Sequence, residues 1–178
     1  ILLVDVSETE NKVASDRNSF VEKVIKEAKK DNFKVGVVTF GYDQVYAAEL
    51  NSDTDKVLEE YRDSLKNKLP DTTATDIAAA LRYTKDIFTS PESSKIVLVS
   101  DAKETDEDAL NAIKYVAAQG TRVDTVYYGS NEAESEVAVT SIKLPDRHIL
   151  KNEECSINAT VKMNSAALGT EEKNEKFI

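Results

Sequence analysis

The sequence predicts an α/β fold: a Rossmann-like open, mostly parallel sheet with helices on both faces and one antiparallel edge strand, followed by a short β-rich segment. Three observations carry that expectation. Short runs dominated by apolar residues recur at ILLV (1–4), KVGVVTF (34–40) and KIVLVS (95–100), as expected of strands covered on both faces of a sheet. Stripes at helical spacing separate them. After about Gly129 the apolar residues alternate with polar ones instead, the mark of antiparallel strands with one wet face.

Taken in order, Ile1–Val4 is a buried strand ending at Asp5. A helix follows from near Ser15, with Phe20, Val21, Val24, Ile25 and Ala28 on one stripe and Glu22, Lys23, Lys26 and Lys29 facing away. The strand 34–40 turns at Gly41–Asp43 into QVYAAEL (44–50), an antiparallel edge strand that makes Tyr42 and Tyr46 sheet-surface residues. Val57, Leu58, Tyr61 and Leu65 mark a second helix, opened by Ser52 or Asp53 and closed by Pro70. Ile77, Leu81, Thr84 and Phe88 mark a third, with Thr75 or Asp76 at its start. The strand 95–100 ends at Asp101. A fourth helix through Ala109, Ile113, Val116 and Ala117 stops at Gly120, and TRVDTVYY (121–128) is the next strand.

Beyond it, EVAVTSIKLP (136–145) alternates until its phase slips at Thr140–Ser141, which predicts a bulge or a strand changing sheets. SINATVKM (156–163) alternates cleanly. The polar tail LGTEEKNEKF reads either as another edge strand or as disorder. The expected division is therefore 1–130 for the α/β domain and 131–178 for a partial β-rich segment too short to close its own core.

Composition narrows the functions. The chain of 178 residues carries 23 basic and 33 acidic residues, a net charge of −10, which disfavours a phosphate-binding surface and so a nucleic-acid partner. The one cysteine, Cys155, has no internal disulfide partner, and the one histidine, His148, reads as an ordinary loop residue; neither supports a Cys/His metal cluster. No apolar run approaches the roughly 20 residues of a membrane helix. Asn158-Ala159-Thr160 matches a glycosylation acceptor by chance, within a strand pattern.

Chemistry concentrates at strand ends. In the extended segment Asp5-Val6-Ser7-Glu8-Thr9, alternate residues face one way, so Asp5, Ser7 and Thr9 offer a carboxylate and two hydroxyls to one point, while Glu8 faces away. These are hard oxygen ligands of the kind Mg²⁺, Mn²⁺ or Ca²⁺ prefers. Asp101 ends another buried strand on the same carboxyl edge, where ligands of open α/β sheets bind. Thr75 adds a hydroxyl from a loop at that edge. Lys103 and Glu104 read as solvated loop.

Together DVSET, TDIAAAL (75–81) and LVSDAKETD (98–106) resemble the von Willebrand factor A domain with its metal-ion-dependent adhesion site, whose pattern is Asp-x-Ser-x-Ser, a distant Thr, and a later Asp in a Thr-Asp-Gly context. The resemblance covers about residues 1–128 and implies the metal ligands Asp5, Ser7, Thr9, Thr75 and Asp101. Within it, GVVTFGYDQVY and TATDIAAALRY look most like large bacterial membrane-anchored proteins, in which an A domain outside the membrane precedes an immunoglobulin-like β module. The strands after 136 then stand for the start of such a module and replace the last helix and strand of a full A domain. Two departures stand out: Thr9 replaces Ser, and Ser100-Asp101-Ala102 replaces Thr-Asp-Gly, where Ala102 adopts positive φ less cheaply than glycine.

The expected function is a non-enzymatic, adhesion-type module that uses Mg²⁺ (or Mn²⁺ or Ca²⁺) to capture a carboxylate of a partner protein. The full-length protein is expected to be extracytoplasmic and held to a membrane only through segments outside this chain. Two alternatives compete with it. One is the same scaffold with a silent site, used for assembly. The other is a Mg-dependent phosphatase of haloacid dehalogenase type, which Ser7 disfavours because the second Asp of that enzyme's opening motif is missing.

Overall fold

The computed structural model describes residues 1–8, 13–30, 33–90, 93–105, 108–128, 136–143, 145, 155–165 and 169–177. Thr9 and His148 lie outside the described residues. The chain forms two units, Ile1–Ser130 and Asn131–Ile178.

The first unit runs β1 (Leu2–Asp5), α1 (Ala14–Ala28), β2 (Val35–Phe40), β3 (Gln44–Asn51), α2 (Thr54–Asn67), α3 (Ile77–Ile87), β4 (Lys95–Ser100), α4 (Ala109–Ala118) and β5 (Arg122–Tyr127). Its sheet has the order β3-β2-β1-β4-β5. Only β3 is antiparallel to its neighbour, in line with the predicted mostly parallel sheet and its edge strand. The apolar runs are explained by two-sided burial. Leu3, Val38, Phe40, Ile96 and Leu98 pack on Ile77, Ala78 and Leu81 of α3 and Ala112 and Val116 of α4. Leu2, Val4, Val35 and Val37 pack on Val21 and Ile25 of α1 and Val57, Leu58 and Tyr61 of α2. Burying such side chains contributes roughly 1.5–3 kcal/mol each and dominates the folding of this unit.

Local signals set the boundaries. The Asp53 carboxylate accepts the N–H groups of Asp55 and Lys56, capping α2, and Asp76 and Asp108 cap α3 and α4 in the same way. Gly120 follows α4 at φ 89°, a conformation glycine adopts without penalty. The α1 start differs in kind from the others: Val13 stands at its N-cap and supplies no side-chain bond.

The second unit is a three-stranded antiparallel sheet, β6 (Glu136–Lys143), β7 (Ile157–Ser165) and β8 (Gly169–Phe177), in that order. The polar tail is thus an edge strand. The expected slip is a register shift between Val139 and Ser141. By adding one residue, the bulge leaves Val139 opposite Val161 and Ile142 opposite Ala159, so that one face stays apolar through the phase change. Val139, Ile142 and Ile157 are exposed, and Cys155 is a half-buried free thiol. No helix among the described residues is long and apolar enough to cross a membrane.

Candidate functional site

β1 and β4 are adjacent and parallel, with Val4 level with Val99, so Asp5 and the Ser100–Asp101 pair emerge side by side at the carboxyl edge. Parallel strands force this arrangement, because their C-terminal ends share one edge. Asp5 (0% exposed), Ser7, Thr75 and Asp101 are all buried there.

The Asp5 carboxylate is held at both oxygens. The Ser7 N–H donates to Oδ1 (3.0 Å) and the Ser100 hydroxyl to Oδ2 (2.7 Å). Burial pushes the Asp5 carboxyl above its usual range, the bonds from Ser100 and Ser7 pull it back, and the charge of Asp101 raises it further. Two buried carboxylates therefore stand near one another, and the charge of Asp101 disfavours ionisation of Asp5.

Asp101 sits in a tight turn. Ala102 has φ 60° and donates its N–H to Ser100 Oγ (3.0 Å), while the Lys103 N–H donates to Asp101 Oδ1 (2.9 Å). Ala102 thus takes up the left-handed conformation that glycine would supply at less cost. The Lys103 ammonium lies 3.7 Å from Asp101 Oδ2. Lys103 is an exposed loop residue, as expected, and its charge lies beside the site.

Thr75 arrives on the loop 71–76, which is bonded to three other segments among the described residues. The Glu8 N–H donates to Thr72 O (2.9 Å), tying the loop to the chain after β1. The Thr75 N–H donates to Thr105 Oγ1 (2.8 Å) and the Thr105 N–H to Thr75 O (3.0 Å), tying it to the chain after β4. The Asp76 N–H reaches Gly41 O (2.9 Å) and the Tyr42 N–H reaches Asp71 O (2.7 Å). Gly41 permits this approach, since a Cβ there would lie 2.1 Å from Asp71 O. Tyr42 itself is exposed. The Tyr46 hydroxyl accepts the Leu50 N–H.

Of the predicted residues, Asp5, Ser7, Thr75 and Asp101 thus occupy one edge in mutually bonded segments. Three contributors were not foreseen. Ser100 holds Asp5, and Thr105 holds Thr75. Arg17, buried at 4% exposure, donates from Nη1 to Asp5 O (2.7 Å). Nε and Nη2 of Arg17 reach Asn18 Oδ1 (both 3.3 Å), which also accepts from the Tyr61 hydroxyl (3.0 Å). Burial pushes that phenol up to about 12, so it stays a donor.

The donor set is oxygen throughout: two carboxylates and the hydroxyls of Ser7 and Thr75. Among the described residues no three His, Cys, Asp or Glu side chains cluster as a metal cage. Few anionic donors, backed by hydroxyls, fit a hard divalent cation, and a cation is the species that would relieve the repulsion between Asp5 and Asp101.

A family model for the von Willebrand factor type A domain matches residues 1–162. Among solved structures the chain is similar to the conserved hypothetical protein BatB from Bacteroides thetaiotaomicron, at 23% identity over 71% of this chain, with a TM-score of 0.57. The match spans 64% of that protein, short of two thirds. An aerotolerance-related membrane protein from Bacteroides fragilis is similar at 21% identity over 94% of this chain and 82% of its own, with a TM-score of 0.58. Proximal thread matrix protein 1 from the mussel byssus matches at 19% identity over 70% of this chain and 35% of its own, with a TM-score of 0.54. At these identities the likeness is one of fold. No curated protein sequence matches.

Proposed function

The chain belongs to the von Willebrand factor type A domain family, and from that membership we propose that it is a non-enzymatic binding module that uses a divalent cation, Mg²⁺ before Mn²⁺ or Ca²⁺, to capture an acidic residue of a partner protein. The observation that carries the reading is the buried pair of carboxylates, Asp5 and Asp101, at the ends of adjacent parallel strands, with Asp5 fixed at both oxygens.

Asp5, Ser7, Thr9, Thr75 and Asp101 are the proposed ligands. A bound divalent cation would supply an electrophilic centre that a partner's carboxylate completes. The chain's own residues orient the donors. Ser100 and the Ser7 N–H aim the Asp5 carboxylate, Arg17 anchors the Asp5 carbonyl behind it, and the Thr105 pairing holds the Thr75 loop in place. A phosphatase reading lacks its acid: Ser7 stands two residues after Asp5, and a serine hydroxyl does not perform a carboxyl group's proton transfer at neutral pH.

We read residues 131–178 as the start of an immunoglobulin-like module and the full-length protein as extracytoplasmic and membrane-tethered. The three antiparallel strands and the similarity to a membrane protein from Bacteroides fragilis support this.

Calorimetric titration of Mg²⁺ into the full chain and into Asp5→Ala tests the reading. Wild type is expected to give a saturable heat that Asp5→Ala, still folded, lacks. No heat in wild type defeats the metal-dependent reading, and an unfolded Asp5→Ala shows that the carboxylate is structural.

A further inference from the structure

Lys103 engages Asp101 twice. Its N–H donates to Oδ1 (2.9 Å) and its ammonium stands 3.7 Å from Oδ2. The two side chains differ sharply in exposure, Asp101 at 3% and Lys103 at 57%. The carboxylate is part of the site's floor, whereas the ammonium reaches in from solvent on a flexible stem. The left-handed Ala102 folds the chain back so that the residue after it lies over Asp101. Asp101 follows β4 directly and so lies beside Asp5 at the end of the neighbouring strand β1. A cation beside Asp101 therefore acts on the pair that the metal reading assigns to the ion.

Resting on that reading, we propose that Lys103 is a tethered competitor: its ammonium neutralises Asp101 in the ion-free chain and is displaced when a divalent cation takes the carboxylate. Lys103 thereby sets the ion concentration at which the site loads. The effect is modest because an exposed ion pair is weak, so removing the ammonium tightens Mg²⁺ binding by about two- to five-fold in Kd. The Lys103 side chain is largely exposed, so its removal forfeits little burial.

The test uses the full chain. Mg²⁺ is titrated calorimetrically into wild type, Lys103→Gln and Asp5→Ala. In parallel, lysines carrying ¹³C-dimethyl groups are followed by NMR, the Lys103 signal being assigned by its absence from Lys103→Gln. Lys103→Gln is expected to bind two- to five-fold tighter than wild type, and the Lys103 methyl signal to shift with the midpoint of the wild-type titration. Equal Kd values, or a Lys103 signal that stays still while Mg²⁺ binds, overturn the competitor and leave the metal site standing. Saturable heat in Lys103→Gln alone supports the competitor in an extreme form. Absence of heat in both overturns the competitor and the metal reading together.

Discussion

Ala102→Gly should make the protein more stable, and the expected size follows from its backbone. Ala102 holds φ 60° on an exposed turn, so losing its methyl forfeits little burial. The left-handed conformation costs an L-residue roughly 1–2 kcal/mol. Glycine removes that cost but brings greater freedom to the unfolded chain, which offsets about 0.5–1 kcal/mol. The net expectation is a gain of about 0.5–1 kcal/mol, or a rise in melting temperature of about 2–5 °C for a unit of this size. Urea titration followed by tyrosine fluorescence measures it cleanly. All seven tyrosines lie between Tyr42 and Tyr128 and there is no tryptophan, so the signal reports the first unit alone. Ala102→Val serves as the opposite control, since a β-branched residue tolerates positive φ worst and should lose at least about 1 kcal/mol. A destabilised Ala102→Gly, or a Val variant as stable as wild type, would refute the left-handed turn and with it the route by which Asp101 and Lys103 come together.

Two further substitutions probe the scaffold around the site. Gly41→Ala drives a Cβ to 2.1 Å from Asp71 O; the displaced 71–76 loop should cost about 1–3 kcal/mol in urea titrations and weaken Mg²⁺ binding through Thr75. Thr39 on β2 is wholly buried and its hydroxyl has no hydrogen-bond partner among the described residues, so Thr39→Val should stabilise by about 1 kcal/mol, and a clear loss would show that the hydroxyl is satisfied in solution.

The elements that the sequence makes legible are those written in side-chain polarity. The runs around Leu3, Val38 and Leu98 are apolar on consecutive residues because helices cover both faces of their sheet. Asp53, Asp76 and Gly120 mark helix ends because their local chemistry is needed there whatever the tertiary setting. Even the slip at Thr140–Ser141 is readable, since a bulge is what restores Ile142 to the face of Val139. The β8 strand is harder to read. Its charged residues pair with β7 through the backbone, which leaves no trace in polarity. Arg17, lying between Asp16 and Asn18 in the first turns of α1, looks like a solvated helix start. Its burial arises from a bond to a carbonyl twelve residues earlier, which no local pattern encodes. Thr105 and Ser100 escape notice for the same reason, their partners lying 30 and 95 residues away.

The contributors that were not foreseen share a physical role. Asp5, Ser7, Thr75 and Asp101 sit on segments that would each be mobile if held only by their own strand or helix. Ser100 joins the end of β4 to the Asp5 side chain, Arg17 joins α1 to the Asp5 backbone, and Thr105 joins the chain after β4 to the Thr75 loop. Each link is worth only about 1 kcal/mol by itself, somewhat more where a charge takes part. They act on the same few atoms, however, so the positions of the donors are over-determined while the donors themselves stay few. Adding carboxylates would have been a simpler way to hold a cation, but each would also quench the charge available to a partner. In the proposed reading, sparse donors held rigidly, with a displaceable lysine over one of them, would favour an ion that still needs a ligand from outside the chain.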